Sequence, residues 1–304
     1  MLSNSGEKLR GVIFISKVKI IADSCSDLPQ EIVDKYEIEI LNIPVHIEDK
    51  IYYDRDDLQP ADFYKLLREK DIEPKTSRIT PERFKKCFQK YLADYEKILV
   101  IAFSSKLSGI AESAVIAKNE LNTEDIVIID SKAAAVGFGL LVYQAAVMLE
   151  NGEEFEQVVE KTAENASYLE HIFAVGDLEM LKKGGRISKT KAFFADVLNI
   201  KPILHIQDGE ILPYDRVRGK KRMYNYLLNE IDKKCKNPAE QIIGVSYSKD
   251  LKAAEKLKNT IIDQFEPKAV ITAEIGAAVG SHAGPGTLGV VFQNNKKIAE
   301  VEIY

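Results

Sequence analysis

The chain runs to 304 residues, with 42 Lys and Arg set against 47 Asp and Glu for a net charge of −5. At 45% hydrophobic and 29% charged residues it has the make-up of a folded protein long enough for two domains, which excludes collagen-like, low-complexity and disordered classes. No basic excess is present to concentrate phosphate backbones, so nucleic acid is not an expected partner.

The N-terminus places Glu7, Lys8 and Arg10 ahead of the short apolar run Gly11 to Ile15, without a small-residue cleavage site, so residues 1–17 are expected to be an extension and not a secretory leader. Cys25, Cys87 and Cys235 form no CxxC pair and predict neither a disulfide framework nor a zinc ribbon; a reducing, cytoplasmic setting is expected. The first predicted strand, Val18 to Ala22, ends in the polar turn Asp23 to Asp27 and feeds a short helix from Pro29 to Tyr36. Pro44 to Pro81 reads as an excursion from this unit. The pattern returns at Lys97 to Phe103, followed by Ser104 to Gly109 and an alanine-rich helix to Glu120. It returns again at Ile126 to Ile129, followed by Asp130-Ser131 and the apolar stretch Ala133 to Leu149. That stretch is shorter than the roughly 20 residues a spanning helix needs and contains Gln144, which predicts a buried helix. Three strands that each end in Asp or Ser and feed a helix predict a parallel sheet. Its loops would face one crevice beyond the strand ends, where their serines are either ligand contacts or helix N-caps.

After Asn151-Gly152 the character changes. A helix from Phe155 to Ser167, a strand from His171 to Val175 and a short helix ending at Gly184-Gly185 come first. Asp208-Gly209 then joins Ile200 to Ile206 and Glu210 to Pro213 as a hairpin. Further strands are predicted at Ile242 to Tyr247, Ala269 to Glu274 and Gly289 to Gln293, with helices at Gly219 to Lys234 and Asp250 to Gln264. The fold class is therefore α/β: a Rossmann-like parallel-sheet domain over residues 18–165, then an α+β domain with a mixed or antiparallel sheet over 166–304.

Gly276 to Gly289 packs glycines around His282 and predicts a binding loop, whereas His46, His171 and His205 sit in apolar strand-like settings and read as structural. Gly284 to Gly289 matches GxGxxG, but a strand follows where a dinucleotide fingerprint needs a helix. Arg186, delivered by the turn at Gly184-Gly185, suits bidentate grip on a carboxylate or phosphate; a solvated basic helix end is the alternative. No P-loop, GxSxG elbow or HExxH is present, and no metal or cofactor is implied. A Ser105/His282 pair would leave a hydrolase of acyl or phosphate esters as the enzymatic alternative.

Taken in order, several segments resemble the DegV family of bacterial fatty-acid-binding proteins, which includes the binding subunits of fatty acid kinase. They are Ile21-Ala22-Asp23-Ser24 with Asp27-Leu28-Pro29, Thr76-Ser77, Ser104 to Gly109, Asp130-Ser131, Leu181 to Ser188, Lys201-Pro202, Asp208-Gly209, Arg216-Val217-Arg218 and Gly280 to Gly289. The resemblance runs from about residue 18 to the end. It implies a non-enzymatic carrier that holds one long-chain fatty acid, with the carboxylate at the domain interface and the acyl chain in an apolar tunnel, and presents it to a separate kinase subunit. By motif, Thr76, Ser77, Ser105, Ser108, Gly109, Arg186 and His282 would surround the carboxylate. The chain departs from the family at Ile110, where Ser-Gly-Thr is usual, at Cys25-Ser26, and at Arg78. The basic segment Arg216 to Arg222 suggests docking to an acidic partner or a membrane surface, against a solvated helix start.

Overall fold

The computed structural model of the chain describes residues 18–70, 72–176, 178–187 and 200–304; the expected N-terminal extension, residues 1–17, and Ser188 lie outside them. Strand β1 (Val18–Asp23) carries Ile20, Ile21 and Ala22 buried in succession, the pattern of a parallel strand covered on both faces. The chain turns through buried Ser24–Ser26 into α1 (Gln30–Lys35) and returns as β2 (Glu39–Leu41), parallel to β1 with Ile21 opposite Glu39. The expected excursion is a small antiparallel sheet of β3 (Pro44–Ile47), β4 (Lys50–Tyr53) and, after α2 (Pro60–Glu69), β5 (Lys75–Thr76). Then α3 (Pro81–Leu92), β6 (Lys97–Ala102), α4 (Ile110–Leu121) and β7 (Ile126–Asp130) complete a parallel sheet of order β2-β1-β6-β7.

The next helix, α5 (Ala135–Glu150), is apolar on nearly every side because it packs between this sheet and a second one. Phe138, Leu141 and Val142 are fully buried along it. After α6 (Phe155–Ser167) the chain enters the second sheet at β8 (Leu169–Ala174), passes α7 (Glu179–Gly184), and forms the hairpin of β9 (Ile200–Gln207) and β10 (Glu210–Arg218). There follow α8 (Lys220–Lys234), β11 (Ile242–Tyr247), α9 (Leu251–Phe265), β12 (Ala269–Glu274), α10 (Ala277–Ala283) and β13 (Leu288–Gln293). The sheet order is β10-β9-β8-β13-β11-β12, with β11 and β12 parallel and the other pairs antiparallel, so the expected mixed sheet is present.

Alternation along these strands sends Ile172, Ile203, Val290 and Phe292 to an outer core under α8 and α9, where Leu227, Ile231, Leu257 and Ile261 meet them. The opposite face, with Leu204, Ile206 and Val291, joins the core that continues through α5 into the parallel sheet.

Two expectations are corrected. Gly276 to Gly289 is not a loop throughout: residues Ala277–Ala283 are the helix α10, and His282 stands in its last turn. Gly280 is accepted inside that helix because α2 lies against it; a methyl group there would come within 2.7 Å of Tyr64 Oη and 2.8 Å of Phe63 Cε1. Strand β10 also runs five residues beyond Pro213, because a register shift between Pro213 and Asp215 absorbs the proline and pairing resumes through Arg218.

Candidate functional site

A cavity of about 300 Å³ lies beyond the carboxyl ends of the parallel strands, bounded by the start of α5 and the inner face of the second sheet. Its volume is at the small end of the range for ligand pockets. The three strand-end loops expected to share a crevice all reach it, through Cys25, Ser108 and Ala134. Most of their serines do not. Ser24 Oγ accepts from Ile43 N at 3.1 Å, Ser104 Oγ donates to Gly209 O at 2.8 Å, and Ser131 Oγ accepts from Ala133 N at 3.2 Å, so these are structural hydroxyls.

Polar groups gather at one end. Pairing of β5 with β3 sets Thr76 opposite Val45, and Ser77 N donates to Pro44 O at 3.1 Å. Ser77 Oγ is 3.0 Å from His46 Nε2, so a histidine read as structural supports a candidate site residue. Ser108 and Gly109 precede α4, whose first N–H groups have no partner within the helix and give that end a partial positive charge. Arg186 follows the left-handed cap Gly185 (φ 69°) of α7; its Nε donates to Leu107 O at 3.2 Å and its Nη1 to Gly184 O. Both acceptors are neutral carbonyls, and among the described residues no carboxylate pairs with this half-buried guanidinium.

His282 Nε2 lies 2.9 Å from Thr76 Oγ1, while its buried Nδ1 has no partner among the described residues. Burial, with Arg186 adding to it, pushes the imidazole down to about 4, so the ring is neutral at ordinary pH. The ring fits because residue 184 is glycine: a methyl group there would approach His282 Nδ1 to 2.3 Å.

Thr76, Ser77, Ser108, Gly109, Arg186 and His282 thus line one cavity, and Ser105 does not. Ser105 is exposed, its backbone N–H donates to Asp130 Oδ1 at 3.1 Å, and it stands outside the cavity that His282 lines, so the two do not form a nucleophile and base pair there. Arg78 lines the cavity but is committed to Glu112 at 2.7 Å. The remaining wall is largely apolar, including Phe103, Phe173, Ile206 and Val291. These residues carried no motif; strand alternation was the signal that could have found the last three. His171 also lines the cavity, fully buried, with burial holding it at about 4. The chemistry offered is hydroxyl groups, helix N–H groups and the Arg186 cation, beside the ion-paired Arg78, on a cavity with a largely apolar wall, an environment for an anionic head with an apolar body.

A family model described as "uncharacterised protein, DegV family" matches residues 17–295. A DegV domain-containing protein of Clostridium perfringens is 38% identical over 290 residues, covering 93% of this chain and 99% of its own. A protein of Thermotoga maritima named a fatty acid-binding protein is 36% identical over 280 residues, covering 90% and 96% of the two chains. The solved structure of a Thermus thermophilus DegV family protein, described for its fatty acid binding, superposes with a TM-score of 0.85 at 29% identity, over 91% of this chain and 99% of that one. The chain belongs to the DegV family.

Proposed function

We propose that this protein is a cytoplasmic carrier of one long-chain fatty acid, held with its carboxylate among Thr76, Ser77, Ser108, Gly109, Arg186 and His282 and its acyl chain along the apolar wall. The observation that carries the reading is Arg186, a half-buried cation without a carboxylate partner among the described residues, standing with Thr76, Ser77, Ser108 and His282 on a cavity whose remaining wall is largely apolar. A charge so placed costs free energy until an anion arrives. In the neutral tautomer that carries its proton on Nε2, His282 donates to Thr76 Oγ1 and the threonine hydroxyl is free to donate to a carboxylate oxygen. Each buried methylene would add about 0.8 kcal/mol, set against the entropy of immobilising the chain. The names given to its relatives support the same ligand class. Denaturing the purified protein, extracting it with organic solvent and weighing the released species is expected to yield one fatty acid per chain. Extracts without fatty acid, together with no uptake of added acid, contradict the reading.

The carrier would present the acid to a separate kinase subunit and perform no chemistry itself. A docking surface for that step is the end of edge strand β10 and the start of α8, where Arg216, Arg218, Lys220, Lys221 and Arg222 are exposed. Charge reversal at Arg218, Lys220 and Lys221 is expected to lower acyl phosphate formation by a cognate kinase while leaving the bound fatty acid in place. Unchanged formation rejects this surface.

A further inference from the structure

The helix that carries His282 is held at its other end by two buried aspartates from the preceding half of the chain. Gly276 N donates to Asp27 Oδ1 at 2.9 Å, and Ala277 N donates to Asp54 Oδ1 at 2.7 Å. These are the amides of the N-cap residue and of the first residue of α10, and Gly276 supplies no side-chain cap, so the support comes from 249 and 223 residues away. Arg55 holds Asp27: its Nε and Nη2 donate to Asp27 Oδ1 at 3.2 and 2.8 Å, and Nη2 also donates to Glu274 O, at the end of β12. Asp27 and Arg55 both stand in left-handed backbone, φ 51° and 63°. Asp54 is itself fixed, its N–H donating to Ile43 O at 2.9 Å and its carbonyl accepting from Asn42 Nδ2 at 2.8 Å. Burial, with Asp27 next to it, raises the Asp54 carboxyl to about 7, a burden expected of a placed group more than of an incidental one.

From Ala277 to His282 is little more than one helical turn, about 8 Å. A shift of α10 at the aspartates is therefore delivered almost undiminished to the imidazole that meets Thr76. We propose that Asp54, with Asp27, is a positioning residue for the carboxylate site, setting His282 through α10 without touching the ligand. This rests on the fatty-acid reading above.

The test compares two probes on delipidated protein, stearic acid and octadecan-1-ol, which share a tail and differ in the head. Asp54→Ala is expected to weaken stearic acid about ten-fold, as loss of a cap of this kind allows, and to leave the alcohol within two-fold. Asp54→Asn keeps the accepting oxygen and should restore the acid. The double variant Asp54→Ala/His282→Ala should bind the acid no more weakly than His282→Ala alone. Should Asp54→Ala fail to fold, Gly276→Ala carries the same test, since its methyl group would come within 2.7 Å of Asp54 Oδ1 at a backbone angle (φ −70°) that alanine accepts. Equal loss of both probes, or additive losses with His282→Ala, would overturn the proposal alone. A wild-type chain that takes up neither probe would remove the fatty-acid reading and the proposal with it.

Discussion

Gly184→Ala separates function from stability at this site. Residue 184 closes α7, and an added methyl group would lie 2.3 Å from His282 Nδ1, 3.2 Å from Cε1 and 3.3 Å from Cγ. The first distance is too short for any real contact, so the ring must swing away and give up Thr76 Oγ1 at 2.9 Å. A neutral hydrogen bond of this kind contributes about 1 kcal/mol. The ring's displacement also withdraws a polar neighbour from the carboxylate, so affinity for a long-chain acid should fall roughly ten-fold. Stability moves the other way, because alanine in place of glycine in a helix contributes up to about 1 kcal/mol and largely offsets the strain. Urea unfolding of the ligand-free variant should therefore stay within about 1 kcal/mol of wild type while titration with stearic acid shows the loss. Wild-type affinity in Gly184→Ala would refute the placement of His282 at the head group. A loss of several kcal/mol in stability would show that the position serves packing alone.

Arg186→Met keeps the stem and removes the cation, and should cost a fatty acid roughly 1.5–3 kcal/mol while sparing the alcohol of the same length, a difference isothermal titration reads directly. Both His171 and His282 are held at about 4 by burial, so their ring resonances should stay unmoved from pH 8 to pH 5.5; a midpoint near 6.5 for either contradicts its burial. Because these folded values lie below the unfolded one, the stabilising effect is fully present above pH 6.5 and is lost as pH falls from 6.5 towards 4. Asp23 and Asp54, raised to about 7 by burial, act oppositely: protonation favours the folded state as pH falls from 7 towards 4. Because His171→Phe removes a group that loses stability between pH 6.5 and 4, it should shift the acid side of the stability curve towards greater stability.

The parallel sheet was legible because Ile98 to Ala102 and Ile126 to Ile129 are apolar without interruption, and such runs are covered on both faces. The cavity's position followed from where those strands end. Within the loop from Ser104 to Gly109, however, no spacing distinguishes Ser105 from Ser108; the turn alone decides that one faces solvent and the other the cavity. The helix α10 was hidden by Gly280, which costs about 1 kcal/mol in an isolated helix and is repaid by close contact with Tyr64 and Phe63, more than 200 positions earlier. The clamp at Asp27 and Asp54 was hidden for the same reason: Asp27 reads as an ordinary turn residue, and its partner amide at Gly276 is 249 residues away.

The most direct test of the carboxylate site is the NMR spectrum of protein loaded with stearic acid labelled with carbon-13 at its carboxyl group. The bound carboxyl resonance should shift in Arg186→Met and in His282→Ala, and should be unmoved by Ser105→Ala, whose side chain lies outside the cavity. A resonance insensitive to Arg186 and His282 would contradict the account, because the acid would then be held somewhere other than the polar end of this cavity.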